Sequence, residues 1–399
     1  MRMLRYLTVL FGTIFNVVCA QEVKIVATNP SDAVRSNETV VVLWSQLGGR
    51  VPEPLDGPLR LTDEQGRPVN VQIDDLDLDG TPDEIAFIAD FAPTQSRAFS
   101  LRVAKGEKVL NEEEPFRTDA QNWKRINGVP QAVDDDNLVG NKRDRTAYRF
   151  DGVGWESEAI AYRLYLDGRN AVDIQGKRKP GLYWKWIGES GVDYQLNADW
   201  GMDVLHVGPA LGIGGIAFWA GDSVLKPLTL DQQRCQIISR GPVRAVVRVE
   251  YRGWNIGHRK VDLTSLFTIS AGDRISEHRI FPGKVVSRET LATGIVKHNS
   301  TRVVWDPTGA SLYTVGHQSR SNDTLLMALT VAPSSVINKT EDANNQLLLL
   351  RFEEDKPITI LISSYWQGET GRMWSDQDIK EFLKATARRL KEPIAVKLR

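Results

Sequence analysis

Cysteine is almost absent from these 399 residues: Cys19 and Cys235 are the only two. Cys19 falls in an opening stretch that carries Arg2 and Arg5, an apolar run from Tyr6 to Val18 and small residues ending at Ala20. Together these predict a secretory signal over residues 1–20. Cleavage there leaves Cys235 alone and excludes an intramolecular disulfide. An exported chain of this size without a bridge suits the bacterial periplasm or exterior. Charge of one sign is also lacking: the net charge is −1, with no basic tract, so nucleic acid is excluded as an expected partner. Past residue 20 no apolar run approaches the ~18 residues a membrane span needs. There is no GxSxG, HExxH or paired-cysteine motif. The glycines at 208, 212, 214 and 215 follow no βαβ pattern and match no dinucleotide fingerprint, so no nucleotide cofactor is expected.

What is present is strand after strand. Short alternating or β-branched runs recur between Gly, Pro, Asn and Asp punctuation, which predicts an all-β chain. Residues 21–108 have the length and turn spacing of a small β-sandwich. A polar stretch, 109–147, is expected to connect it to a larger antiparallel β-sandwich over 148–399. One helix is expected near the C-terminus, where Ser375 and Asp378 form a capping pair and Ile379, Phe382, Leu383 and Leu390 share a face.

The first sandwich contains a dense acidic turn. Six carboxylates fall between Asp74 and Glu84, and Asp75, Asp77 and Asp79 alternate before Gly80 and Asp83. This D-x-D-x-D-G spacing lets a loop wrap oxygen ligands around Ca²⁺. Counted from Asp75, the twelfth position is Ala86 and not the bidentate Glu of an EF-hand. The expectation is a structural Ca²⁺ held by Asp75, Asp77, Asp79 and Asp83, set against a turn held by Asp-to-backbone hydrogen bonds alone.

Three segments of the larger part carry more polar chemistry than a bare sandwich requires. Gly154 to Trp186 combines Glu156, Glu158, Arg163, Asp173, Lys177 and Lys179 with Trp155, Tyr183, Trp184 and Trp186. Rings that stack on pyranose faces beside charges that read hydroxyls and carboxylates make a sugar site. A salt-bridged sheet surface would have the same composition. Asp193 to Gly215 adds Tyr194, Gln195, Trp200, Asp203 and His206, and Lys297 and His298 end an apolar strand.

These segments also carry a resemblance. "DLDGTPDEIAFIADF", "WESEAIAYRLYLDGRNAVDIQGK", "WGMDVLHVGPALG" and "TGIVKH" resemble the domain of unknown function 4861 family of secreted bacterial proteins. The resemblance implies work on uronic-acid-containing oligosaccharides or polysaccharides, and in one branch oligosaccharide dehydration that creates an unsaturated uronate. A mutarotase-like supersandwich is one form the larger sandwich could take. In the family pattern a His follows the Tyr that stands here at 194, and this chain carries Gln195 in its place.

The favoured expectation is a β-eliminating enzyme, a lyase or dehydratase. Arg163 or Lys177 would neutralise the substrate carboxylate, and His298, Tyr183 and Tyr194 are the candidates for proton transfer. Trp155, Asp173, Tyr194, Gln195, Trp200 and Asp203 would line the substrate. One alternative is a glycoside hydrolase with Glu156 and Asp203 as its carboxylate pair. Another is a non-catalytic glycan binder using Trp155, Trp184, Trp200 and Trp366 as platforms.

Overall fold

The computed structural model describes residues 22–52, 55–105, 115–139, 148–283, 286, 288–353 and 356–399. The expected signal, residues 1–20, lies outside them. The chain is all-β, built from antiparallel sheets with a few helices.

Val23–Thr28, Leu59–Thr62 and Ser96–Val103 belong to a five-stranded sheet, which packs on the three-stranded sheet of Arg35–Leu43, Val71–Asp74 and Glu84–Phe91. Alternation along these strands sends Val23, Ile25, Val40, Val42, Ile85, Phe87, Phe99 and Leu101 into one core. The last strand of that sheet comes from the other end of the chain: Ala395–Leu398 pairs antiparallel with Val23–Thr28, Ile25 opposite Leu398. An assignment of everything after residue 147 to the larger sandwich therefore needs correcting. Ile394, Val396 and Leu398 are apolar at period two and complete the small core.

The stretch expected to be a connector is corrected too. Thr118–Gln121 is an edge strand of the sheet that carries the polar cluster below, and Asp135–Val139 is an edge strand of the nine-stranded sheet. Backbone pairing holds these strands with a single core contact each from Ala120 and Leu138, so a polar composition hid them.

In the larger part a nine-stranded sheet forms one layer, and two five-stranded sheets lie against it. Those two sheets abut where Val172 forms an isolated parallel bridge to Gly212. The layers share one core running from Trp155, Tyr162 and Ile174 through Ile213 and Leu348 to Phe267, Leu329 and Trp366. The helix Asp376–Lys391 begins at the expected Ser375–Asp378 capping box and buries Ile379 and Leu383 against the outer face of the nine-stranded sheet.

The two sandwiches are locked by charge. The Arg244 guanidinium, fully buried, bonds Asp74 and reaches Glu84 Oε1 at 2.6 Å. Asp74 therefore pairs across the interface and is not part of the acidic turn's ligand set.

Candidate functional site

The site sheet runs, in spatial order, Gly201–Asp203, Val172–Lys177, Ile160–Tyr165, Gly152–Ser157 and Thr118–Gln121. Period two sends Val153, Trp155, Tyr162, Ile174 and Met202 into the main core. The alternate residues point the other way, and there the sequence is polar: Asp119, Gln121, Glu156, Arg163, Asp173, Gln175, Lys177 and Asp203. All eight are buried, because the excursion from Arg178 to Trp200 folds over this face with the helix Trp184–Ser190. The helix comes close because Gly154 has no side chain. A Cβ there would stand 2.4 Å from the Trp184 ring.

Two charge clusters form under this cover. In the first, Lys177 Nζ donates to Glu156 Oε2 at 2.5 Å, Ser157 O at 2.5 Å and Gly181 O at 2.7 Å. Glu156 Oε1 accepts from the backbone N–H groups of Tyr183 and Trp184 at 2.8 and 2.7 Å. Burial pushes the Lys177 ammonium down, and Glu156 opposes that shift. Every donor of Lys177 is used and both Glu156 oxygens are engaged. The expectation that these residues meet substrate is therefore corrected: the pair fastens the start of the helix to the sheet.

The second cluster centres on Arg163, which is 1 % exposed. Its Nη2 donates to Asp173 Oδ2 and, at 2.6 Å, to Tyr165 Oη, and its Nη1 donates to Tyr194 Oη at 2.8 Å. Tyr165 Oη also donates to Asp173 Oδ2 at 2.8 Å, and Gln175 Nε2 donates to Asp173 Oδ1 at 3.0 Å. Asp173 is thus the counter-ion of Arg163 and has no exposure with which to bind a sugar. Asp203, cross-strand partner of Gln175, has Oδ2 3.6 Å from Arg163 and Oδ1 3.4 Å from Arg320 Nε. Burial, and then the Asp173 charge, push its carboxyl up to about 7 against the pull of the two arginines.

Three buried polar atoms of this cluster make no hydrogen bond among the described residues: Arg163 Nε, Gln175 Oε1 and Asp203 Oδ2, the last held only by its longer ion pair with Arg163. Unsatisfied groups gathered in one place mark strain or chemistry and are costly in a merely structural network. Tyr194 is half-buried, the least enclosed residue bonded to Arg163.

Beside the clusters, Tyr183, Trp186 and Trp200 line a cleft of about 540 Å³ with Lys179, Leu182, Ala198 and Asp199. Tyr183 and Trp200 lie 5.4 Å apart by ring centroid, and Trp186, 45 % exposed, stands edge-on to both. Tyr194 and Trp200 belong to the same aromatic cluster, Tyr194 through its ring contacts with Phe150 and Trp184.

The remaining candidates are dispersed. Trp155 is in the main core with Nε1 bonded to Ser276, Trp184 is buried beneath the helix, and Trp366 is buried with Nε1 on Asp323 Oδ1 at 2.6 Å. None of the three is a stacking platform. Gln195 lies on an exposed turn, its N–H on Asp193. His298 is half-buried, and burial with the neighbouring His206 lowers it. Asp173, Tyr165, Tyr194 and Asp203 surround Arg163, and no hydrogen bond or ion pair among the described residues joins His298 to it. His298, a candidate for proton transfer, is therefore not bonded into the Arg163 cluster.

In the acidic turn, carboxylate oxygens of Asp75, Asp77 and Asp83 lie within 4.8 Å of one another. Asp79 falls outside that group, with its Oδ1 accepting from Thr81 N at 2.7 Å. Leu78 and Gly80, at φ 61° and 91°, let the loop turn tightly enough to gather the three.

A model of the family described as a domain of unknown function, number 4861, matches residues 27–396. The chain belongs to that family. "Uncharacterized protein P7" of Formosa agariphila is 21 % identical over 313 residues, which cover 72 % of this chain and 71 % of that protein. Two solved structures from Enterococcus faecalis share 10 % identity over 95 % of this chain: a protein in glycosyl hydrolase family 38, with a TM-score of 0.46, and an alpha-mannosidase, with 0.47. The chain spans about half their length, 47 % and 46 %. The family match covers every residue of the Arg163 cluster and the aromatic cleft.

Sequence reasoning missed Gln175 and Arg320 as members of this site. Gln175 stands at period two between Asp173 and Lys177 and was legible in that alternation. Arg320 enters from a distant loop, and no local spacing announces it.

Proposed function

We propose that this protein is exported and acts on uronate-bearing oligosaccharides by β-elimination, as a lyase or dehydratase, with the sugar held against the Tyr183 and Trp186 rings of the cleft. In this reading a base takes the C5 proton, the C4–oxygen bond breaks, C4=C5 forms and the departing oxygen takes up a proton. Tyr194 would exchange protons with substrate in this reading, supported by its oxygen accepting from the buried Arg163 cation and by its being half-buried where the rest of the cluster is buried. Asp203 and Arg163 stand behind it and set the charge of the cluster.

The observation that carries this reading is a buried charge cluster with unmet hydrogen bonds, Asp203 Oδ2 among them, bonded to the half-buried Tyr194 in the same part of the fold as an aromatic cleft. Hydrolysis by Glu156 and Asp203 is disfavoured, since Glu156 is fully occupied by Lys177 and two backbone amides. The test is a screen of uronate oligosaccharides for new ultraviolet absorbance from the unsaturated product, with Tyr194→Phe expected to lower the rate by about 10²- to 10⁴-fold.

One observation favours a second reading, glycan binding without chemistry: Arg163 and Lys177 are both committed to carboxylates. Calorimetric binding of oligouronates with no absorbance change in the same screen would select it. The Asp75, Asp77 and Asp83 carboxylates would hold a structural Ca²⁺, remote from either activity.

A further inference from the structure

If the glycan carries a carboxylate, some cation must meet it, and the two expected ones are unavailable. Lys177 has spent all three protons, and Arg163 is buried with both terminal nitrogens donating. Arg320 is different. It reaches the same cluster from the turn after the strand Ser311–His317, with its side chain 26 % exposed. Its one ion pair is Nε to Asp203 at 3.4 Å, and its guanidinium donates no hydrogen bond among the described residues. The planar fork of Nη1 and Nη2 is therefore uncommitted, in the geometry that grips a carboxylate bidentately.

Its backbone is fixed. Arg320 N donates to Val204 O at 2.8 Å, and Leu205 and Ser319 form an isolated bridge, so the turn is clamped to the strand that carries Asp203. Behind it Asp323 accepts from Ser319, from Ser321 at 3.0 Å and from Trp366 Nε1 at 2.6 Å. A cation on a clamped turn loses little freedom when it binds.

We propose that Arg320 is the specificity-determining residue of this site: its guanidinium fork selects a glycan unit bearing a carboxylate, and Nε stays on Asp203. This rests on the uronate reading above and names the residue that reads the uronate. Arg163 then acts as a positioning residue for Tyr194, and Arg320 touches substrate.

The probe is a set of 1,4-linked oligoglucuronates together with the same oligomers after carboxyl reduction, which have the same backbone and linkages without the charge. Binding is measured by calorimetry at low salt, with melting temperatures in parallel. Wild type is expected to prefer the charged set. Arg320→Gln is expected to lose about 10- to 100-fold on the charged set and nothing on the reduced set, the range for a hydrogen bond to a charged group. Arg320→Lys, which keeps the charge without the fork, should retain part of the preference.

A structural role alone would weaken both sets together, and that result overturns the proposal. So does a wild type that binds both sets equally or neither, or an Arg320→Gln chain with an undiminished preference. Failure here is separable from failure of the elimination reading. An undiminished preference alongside new absorbance removes Arg320 and leaves elimination standing. A lost preference with no absorbance from any uronate keeps Arg320 as the carboxylate reader and removes elimination.

Discussion

Lys177→Met distinguishes a structural buried pair from a substrate-binding cation. Methionine keeps most of the lysine volume and removes the charge. Glu156 is then left as a buried carboxylate with two backbone N–H donors, from Tyr183 and Trp184, as its only compensation. Breaking one half of a buried pair costs about 3–5 kcal/mol, because the orphaned charge stays out of water. At roughly 2 °C per kcal/mol for a domain of about 250 residues, the larger sandwich should melt ~6–10 °C lower. Adding Glu156→Gln removes the orphan, so the double variant should regain most of the loss. The non-additivity expected of residues in direct contact is about 1–3 kcal/mol. The assay is calorimetric melting of wild type, both single variants and the double variant near neutral pH, with turnover scored per folded molecule. A Lys177→Met chain that melts with wild type yet loses turnover would refute the reasoning and return Lys177 to the substrate.

Three further outcomes are expected. Asp203 titrates near 7 when folded against 3.8 for the unfolded group, so its contribution is fully present below about pH 4 and lost as pH rises through about 7. The stability gap between wild type and Asp203→Asn should therefore narrow across that window by on the order of 2–4 kcal/mol, and a pH-independent gap in denaturant melts would contradict it. The comparison with Asn matters because buried His278, lowered to about 3, has the opposite sign and loses stability as pH falls below 6.5. Ca²⁺ at a hundred times its dissociation constant should stabilise the fold by about 2.7 kcal/mol through Asp75, Asp77 and Asp83, and a melting curve indifferent to chelator would dismiss the ion. Truncation after Glu392 should lower the melting of the small sandwich, since it strips the Val23–Thr28 edge of its partner strand and uncovers the small core; coincident melting with the full chain would count against the shared sheet.

The fold was legible wherever one face of a strand is apolar. Val23, Ile25 and Ala27, or Phe87, Ala89 and Phe91, announce a half-buried strand by period two alone, and Ser375 with Asp378 announces the helix start. Thr118–Gln121 and Asp135–Val139 were not legible, because each sends only one apolar residue, Ala120 or Leu138, into the core and "TDAQ" and "DDNLV" supply no apolar alternation. The strand Ala395–Leu398 was hidden for a different reason. Its partner lies at the far end of the chain, and a single sequence holds no sign of which edge a terminal strand will join.

The site was half legible, and the reason lies in what a sequence pattern can encode. Alternation placed Arg163 and Asp173 on one face of their strands, and register then set them opposite each other. Alternation also put Glu156 and Lys177 on that face, but it carries no information about whether a cover lies above. Once the Arg178–Trp200 excursion closes over the sheet, an exposed charge array becomes two buried clusters, and each charge must be neutralised from within. Lys177 achieves this completely, with every proton used, and is thereby removed from chemistry. The Arg163 cluster does not: it leaves Asp203 Oδ2, Gln175 Oε1 and Arg163 Nε without hydrogen bonds among the described residues. That contrast between Lys177 and the Arg163 cluster depends on angles and distances that no spacing of letters records. Arg320 follows the same logic in reverse, since an arginine with an unused fork is informative only after the fold has set it beside a carboxyl pushed up to about 7.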